Sequence, residues 1–169
     1  MAQPAFPAVL APASVAIAGP AAGPHDVALD DTALDSTTIA DVVARADVLR
    51  LRFSPALPTP AAVRALVGLL DDEIARAGRG RSEVRLVLEV ETVVARDEAD
   101  AARRRSDLAY TAAFSHTPRS TEQTWLVAPV EALADAARAL ARRTGVDRVE
   151  LALTPASRSA EVAAALRPR

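Results

Sequence analysis

"RLVLEVETVVARDEADA", residues 85–101, reads as a strand running into a helix, and the strand carries its charge on one face only. From Val84 to Val94 apolar residues alternate with a polar set that includes Arg85, Glu89 and Glu91. Successive side chains of a strand point to opposite faces, so such alternation marks one face against a core and one face turned to polar surroundings. Asp97 then stands where a helix N-cap is needed.

Two further segments repeat the pattern. In "VLRLRF", residues 48–53, Arg50 and Arg52 oppose Leu49, Leu51 and Phe53; in "RVELAL", residues 148–153, Arg148 and Glu150 oppose Val149, Leu151 and Leu153. Parallel strands covered by helices on both faces are nearly continuous in Val, Ile and Leu, and these are not. Burying unpaired charges in an apolar layer is strongly unfavourable, so the polar face must meet water, a polar cavity or opposite charges. The expectation is one sheet of parallel strands with helices mainly on one face. If the three strands are neighbours in chain order, the arginine pair lies beside the glutamate pair and the glutamates beside Arg148. Cross-strand pairs of this kind contribute roughly 0.2–1 kcal/mol each. Glu89 and Glu91 therefore read as rungs of a structural charge ladder rather than an acid/base pair, because two carboxylates on one strand bracket no substrate without a third group.

Outward from this stretch, strands and helices alternate. "ASVAIAG" (13–19) is a short strand, and "DVALD" (26–30) a second extended piece. Asp35 or Thr38 opens a helix through "TTIADVVARA", the second with Asp41 at capping-box spacing. "ADVLRLRF" (46–53) is the next strand. Thr59 and Pro60 then form an N-cap and first helical position, and Gly78 and Gly80 end that helix. Asp97 caps a helix through Phe114, and "TWLVA" is a brief apolar segment. Residues 130–143 form a helix stopped by Gly145, "DRVELAL" the last strand and "SAEVAAALR" a final helix. Helices of this length between strands imply right-handed parallel crossovers. Residues 1–12, rich in proline, read as an irregular arm, and 13–169 as a single α/β domain.

Composition narrows the chemistry. A net charge of −2 and balanced acids and bases leave no electrostatic footprint for nucleic acid or anionic lipid. All 20 basic residues are arginine, which excludes lysine Schiff bases and a P-loop lysine. With no cysteine there is no thiolate nucleophile, disulfide or cysteine-ligated metal. The first 22 residues are apolar but interrupted by Pro4, Pro7, Pro12 and Pro20, a poor signal peptide and a poor membrane span, so a cytoplasmic location is expected.

Several phrases, taken in order, resemble the luciferase-like flavin- or deazaflavin-dependent oxidoreductases. "VVARDEADAARRR" (93–105) is similar to a late strand-to-helix junction of that family, "PAAVRALVGLLDDEIARAGRGRSEVRLVLEV" (60–90) to the helix and turn before it, and "TWLVAPVEALADAARALARRTGVDRVEL" (124–151) to the segment leading to its last barrel strand. "SVAIAG" and "ADVLRLRF" fall where the fifth and sixth strands would lie. The resemblance covers residues 13–155 and only the C-terminal half of an eight-stranded barrel. It implies a partial (half) β/α barrel, a truncated monooxygenase-like oxidoreductase using FMN or F420, and activity only with a complementary half-barrel chain or as a homo-oligomer. The alternative is a non-catalytic assembly protein derived from the same fold; a gene fragment without selected activity is a third reading.

Barrel enzymes react at the C-terminal ends of their strands, and phosphates often bind near the last two. The candidate cofactor-binding residues at those ends are Gly19, Gly23, Thr154, Ser157 and Arg158, although the loop from Gly19 to Gly23 offers no hydroxyl. Capping of the last helix by Ser157 or Ser159 is the preferred reading of these hydroxyls. His25 is a loop histidine that could donate a proton near a cofactor but is better explained as a solvated loop residue. His116 has no carboxylate at ligand spacing, so no metal site is expected. Arg103, Arg104 and Arg105 are flanked by Asp97, Glu98, Asp100 and Asp107 and read as a solvated helix surface. No nucleophile motif is present, and the catalytic residues are not assigned.

Overall fold

The computed structural model describes residues 13–20, 23–31, 34–114 and 121–167, without the side chains of residues 121 and 122. The irregular arm expected over 1–12 and the loop holding His116 lie outside these residues. Six strands, β1 (Ser14–Ile17), β2 (Asp26–Ala28), β3 (Val48–Arg52), β4 (Arg85–Ala95), β5 (Trp125–Pro129) and β6 (Arg148–Leu153), form one sheet. Every pairing is parallel. The order is β1-β6-β4-β3-β2, with β5 on β4. The helices are α1 (Ser36–Arg45), α2 (Pro60–Arg76), α3 (Glu98–Phe114), α4 (Thr121–Thr124), α5 (Leu133–Thr144) and α6 (Ser159–Ala165).

The local signals act as their chemistry requires. Asp35 caps α1, accepting from the N–H groups of Thr37 and Thr38. Thr59 caps α2 by accepting from the N–H of Ala62, and Pro60 occupies the first turn. Gly78 (φ 72°) and Gly145 (φ 80°) adopt the left-handed conformation that closes a helix and that other residues resist.

Register confirms the one-sided alternation. Leu49, Leu86 and Leu51, Leu88 pair across β3 and β4, and Leu88, Val149 and Val90, Leu151 across β4 and β6. These side chains are at most 1% exposed and pack with Val43 of α1, Val63 and Leu70 of α2, Leu133 of α5 and Val162 of α6 in one core. Arg50, Arg52, Glu89, Glu91, Arg148 and Glu150 stand on the other face by the same register. The fold is a partial β/α barrel: its outer face is clothed by four helices and its inner face is polar.

Three features differ from the sequence expectation. The apolar segment 125–129 is a strand, beside the upper half of β4 at positions 91–95, on the side that β3 occupies at 85–89. Helix α3 packs on the polar face, where Ala101 and Leu108 meet Val93, Ala95, Trp125 and Val127. Connection handedness accounts for this. The step from β4 to β5 runs back across the sheet, opposite to the steps β2 to β3 to β4, and a right-handed crossover in the reverse direction must use the opposite face. The step from β5 to β6 runs forward again, and α5 returns to the apolar side. Further, β1 is not the neighbour of β3, as adjacent fifth and sixth barrel strands would be; it pairs with β6 at the far edge, and β2 forms the other edge.

Candidate functional site

The polar face is built around Arg50. In register it faces Val87 on β4, and Val87 faces Arg148 on β6. The small apolar residue leaves room for the Arg50 guanidinium to cross β4. Its Nε donates to Asp26 Oδ1 at 2.6 Å on one side, and Nη1 donates to Glu150 on the other. Glu150 in turn pairs with Arg148 at 3.1 Å. The side chains of Arg50, Asp26 and Glu150 are 13%, 4% and 6% exposed, so the chain of charges is well shielded. The hydrogen bonds to Asp26, with those to Glu150, hold the Arg50 pKa above its already high ordinary value. This group is permanently charged and structural.

One level higher, β3 leaves β4 and β5 replaces it. In that fork lies a cavity of about 190 Å³, lined by Arg52 of β3 and Phe53 just after it, Thr124 at the end of α4, Trp125 of β5, and Glu89 and Glu91 of β4. Arg52 closes its rim through an ion pair with Glu89 at 2.7 Å. Glu91 has no ion pair among the described residues. A second cavity of about 290 Å³ opens on its other side, toward Ile17, Ala18, Thr154 and Ser159. Ala152, in register with Glu91, is small enough to let both cavities reach that carboxylate. Trp125, the only tryptophan in the chain, is the register partner of Glu91 on β5 and lines the first cavity beside it.

The five residues assigned to cofactor binding are only partly brought together. The pairing of β1 with β6, with Ala18 N–H donating to Leu151 O at 2.9 Å, places Gly19 on the same rim as Thr154, Ser157 and Arg158. Thr154 lines the larger cavity. Arg158 is committed elsewhere: its Nε and Nη2 bind the two carboxylate oxygens of Glu161 at 2.7 and 2.6 Å, and Nη1 donates to Val94 O at 3.3 Å. Glu161 raises the Arg158 pKa and is itself lowered by it. Ser159 donates to Ala156 O at 2.6 Å, and no side chain caps α6. Gly23 lies at the N-terminal end of β2, accepting from Asp26 N–H, and a Cβ on Gly19 or Gly23 would meet open space.

A flavin or deazaflavin phosphate needs unpaired cations or convergent N–H donors. The described residues offer an arginine already neutralised, two glycines that crowd nothing and a carboxylate in the adjoining cavity. They do not fit that group on their own.

The remaining candidates are structural. The His25 ring lies 2.8 Å from Arg45 O, and its carbonyl accepts from the N–H groups of Asp47 and Val48, joining β2 to the base of β3. Arg103 and Arg104 bind Asp100, and Arg105 binds Glu98 and Val127 O. Asp100 accepts from Arg96 N–H at 3.0 Å; that bond, then Arg104, drives its pKa far below the usual carboxylate value. Among the described residues no cluster of His, Asp and Glu could hold a metal, and no helix is long and apolar enough to cross a membrane. The fork cavity was not legible in sequence: its wall comes from β5, and nothing local says that β5 replaces β3.

The fold, over part of its extent, is shared with solved structures. The EDTA monooxygenase EmoA from Chelativorans sp. BNC1 superposes with a TM-score of 0.56 at 9% identity, over 78% of this chain and 41% of that one. DmoA from Hyphomicrobium sulfonivorans gives 0.54 at 14% identity, over 79% and 38%. An F420-dependent secondary alcohol dehydrogenase, solved with an F420-acetone adduct, gives 0.53 at 12% identity, over 78% and 46%. These are luciferase-like proteins, and the likeness is one of fold. The chain spans less than half the length of each. No family profile and no curated protein sequence matches it.

Proposed function

We propose that this chain is a cytoplasmic luciferase-like barrel segment that works in an assembly, with a complementary half-barrel chain or a second copy covering its polar face. Oxidoreductase activity with FMN or F420 then belongs to the assembled barrel. The observation that carries this is the inner sheet face, whose charged residues and cavities lie between two strand edges, β1 and β2, whose outer sides have no pairing partner among the described residues. A free edge is a row of unsatisfied backbone groups that soluble proteins pair or cover. The mismatch between the β1/β6 rim and a phosphate supports dependence on a partner for any cofactor. A non-catalytic assembly protein is the second reading, favoured by the commitment of Arg158 to Glu161.

The test is mass measurement in solution with titration of oxidised and reduced FMN and F420, on the chain alone and with any chain it co-purifies with. Cofactor affinity that appears only in the complex supports the first reading. A stable complex with none supports the second. A monomer at all concentrations that binds either cofactor tightly overturns both.

A further inference from the structure

A further cavity lies away from the polar face, outside the barrel and near the N-terminal ends of β1 and β6. It has a volume of about 590 Å³, within the range of about 300–1,000 Å³ usual for small-molecule sites. Its walls are α2 and α5, with Val67, Ala141 and Val146 supplying apolar surface. Three arginines stand around it, Arg64, Arg138 and Arg142. The charges are not all cancelled. Asp71 and Asp147 share Arg81, at 2.6 and 3.0 Å, and Arg138 is paired with Asp135 at 2.9 Å. Arg64 and Arg142 make no ion pair among the described residues; Arg64 donates only to the carbonyl of Arg142, at 3.4 Å.

An independent feature concerns Gly68, which lines the same crevice in the middle of α2. Glycine inside a helix is destabilising relative to alanine, and it is normally kept for a close backbone approach. Among the described residues there is no such approach: a Cβ at position 68 would meet nothing within 4 Å. What the missing side chain preserves is the open volume of the crevice. We infer that the crevice between α2 and α5 binds a small organic anion with an apolar body, its carboxylate or phosphate head held by Arg64 and Arg142 and its chain lying over Val67, Ala141 and Val146. Guanidinium pairs match the planar oxygens of both head groups, and the apolar floor gives the rest of the molecule a reason to stay. This site stands apart from the β1/β6 rim and does not depend on the reading of that rim.

Calorimetric titration of the full chain with decanoate, decyl phosphate and decanol, each below its micellar range, tests it. Saturable binding of one or both anions is expected, with decanol at least about tenfold weaker, the size of one charge-assisted contact; the stronger of the two identifies the head group. Arg142→Gln should weaken the anions about tenfold and leave decanol unchanged. Gly68→Leu fills the crevice from a position where it crowds nothing; it should abolish binding while the melting temperature stays equal or rises, which separates occlusion from unfolding. Absence of saturable anion binding, equal affinity for decanol, or unchanged binding in Gly68→Leu would overturn the assignment.

Discussion

Arg50 shows how a single residue fixes the character of the polar face. It bridges carboxylates from β2 and β6 across β4, and its shielded position makes removal expensive. Arg50→Met should cost about 3 kcal/mol in urea unfolding, because Asp26 and Glu150 lose their shared counter-charge in a sheltered place. Combining it with Asp26→Asn and Glu150→Gln should recover much of that loss. Asp100 gives a pH prediction. Its folded pKa is depressed, so its contribution is present in full above the unfolded carboxylate value, about 4, and is lost as pH falls toward the lower folded value. Asp100→Asn should therefore be less stable than the parent at neutral pH and converge with it in strong acid, measured by thermal melts across pH. That six charges share one face was legible, since alternation alone dictates it. The partners of Arg50 were not, because Asp26 becomes its neighbour only when β2 takes the edge beside β3, and Glu150 comes within reach only across Val87.

Among the elements, those bounded by local chemistry were legible and those placed by a neighbour were not. Thr59 with Pro60, Asp97 and Gly145 satisfy or close helix ends within a few residues of themselves. Gly145→Ala should cost about 1 kcal/mol in denaturation, the penalty of a side chain at positive φ. In sequence β5 is only an apolar run, five residues long, without alternation and ending in Pro129; its strand conformation comes from the upper half of β4, beyond the reach of β3. The face chosen by α3 likewise depends on which side of β4 the next strand takes. This helix rests on a small cluster with Ala101 at its centre, whereas α2 buries Val63, Leu66, Val67, Leu70 and Ile74 in the main core. Hydrogen exchange should accordingly release α3 amides well before those of α2. Equal protection would mean that α3 opens only with the whole domain.

For the whole molecule, the parallel architecture and the placing of helices mainly on one face followed from pattern, while the position of α3 on the other face and the strand order at the edges did not. Backbone pairing of Ser14 and Ala18 with β6 leaves the N–H groups of Val15 and Ile17 turned outward, by the alternation of a parallel ladder. A sheet with such an edge should self-associate or recruit, and sedimentation over a wide concentration range should show a mass above that of one chain. A single species of one-chain mass throughout would leave the edge unexplained.

The pairing of the first strand with the last has a bearing on how the molecule can grow. The two rims of the incomplete ring, β1 and β2, are consecutive in the chain, joined by the short link from Ala18 to His25. Additional strand-and-helix repeats spliced into that link would fill the gap in space at the very place where they enter the polypeptide, leaving every other connection untouched. Enlargement to a complete cylinder thus requires one insertion and no rearrangement.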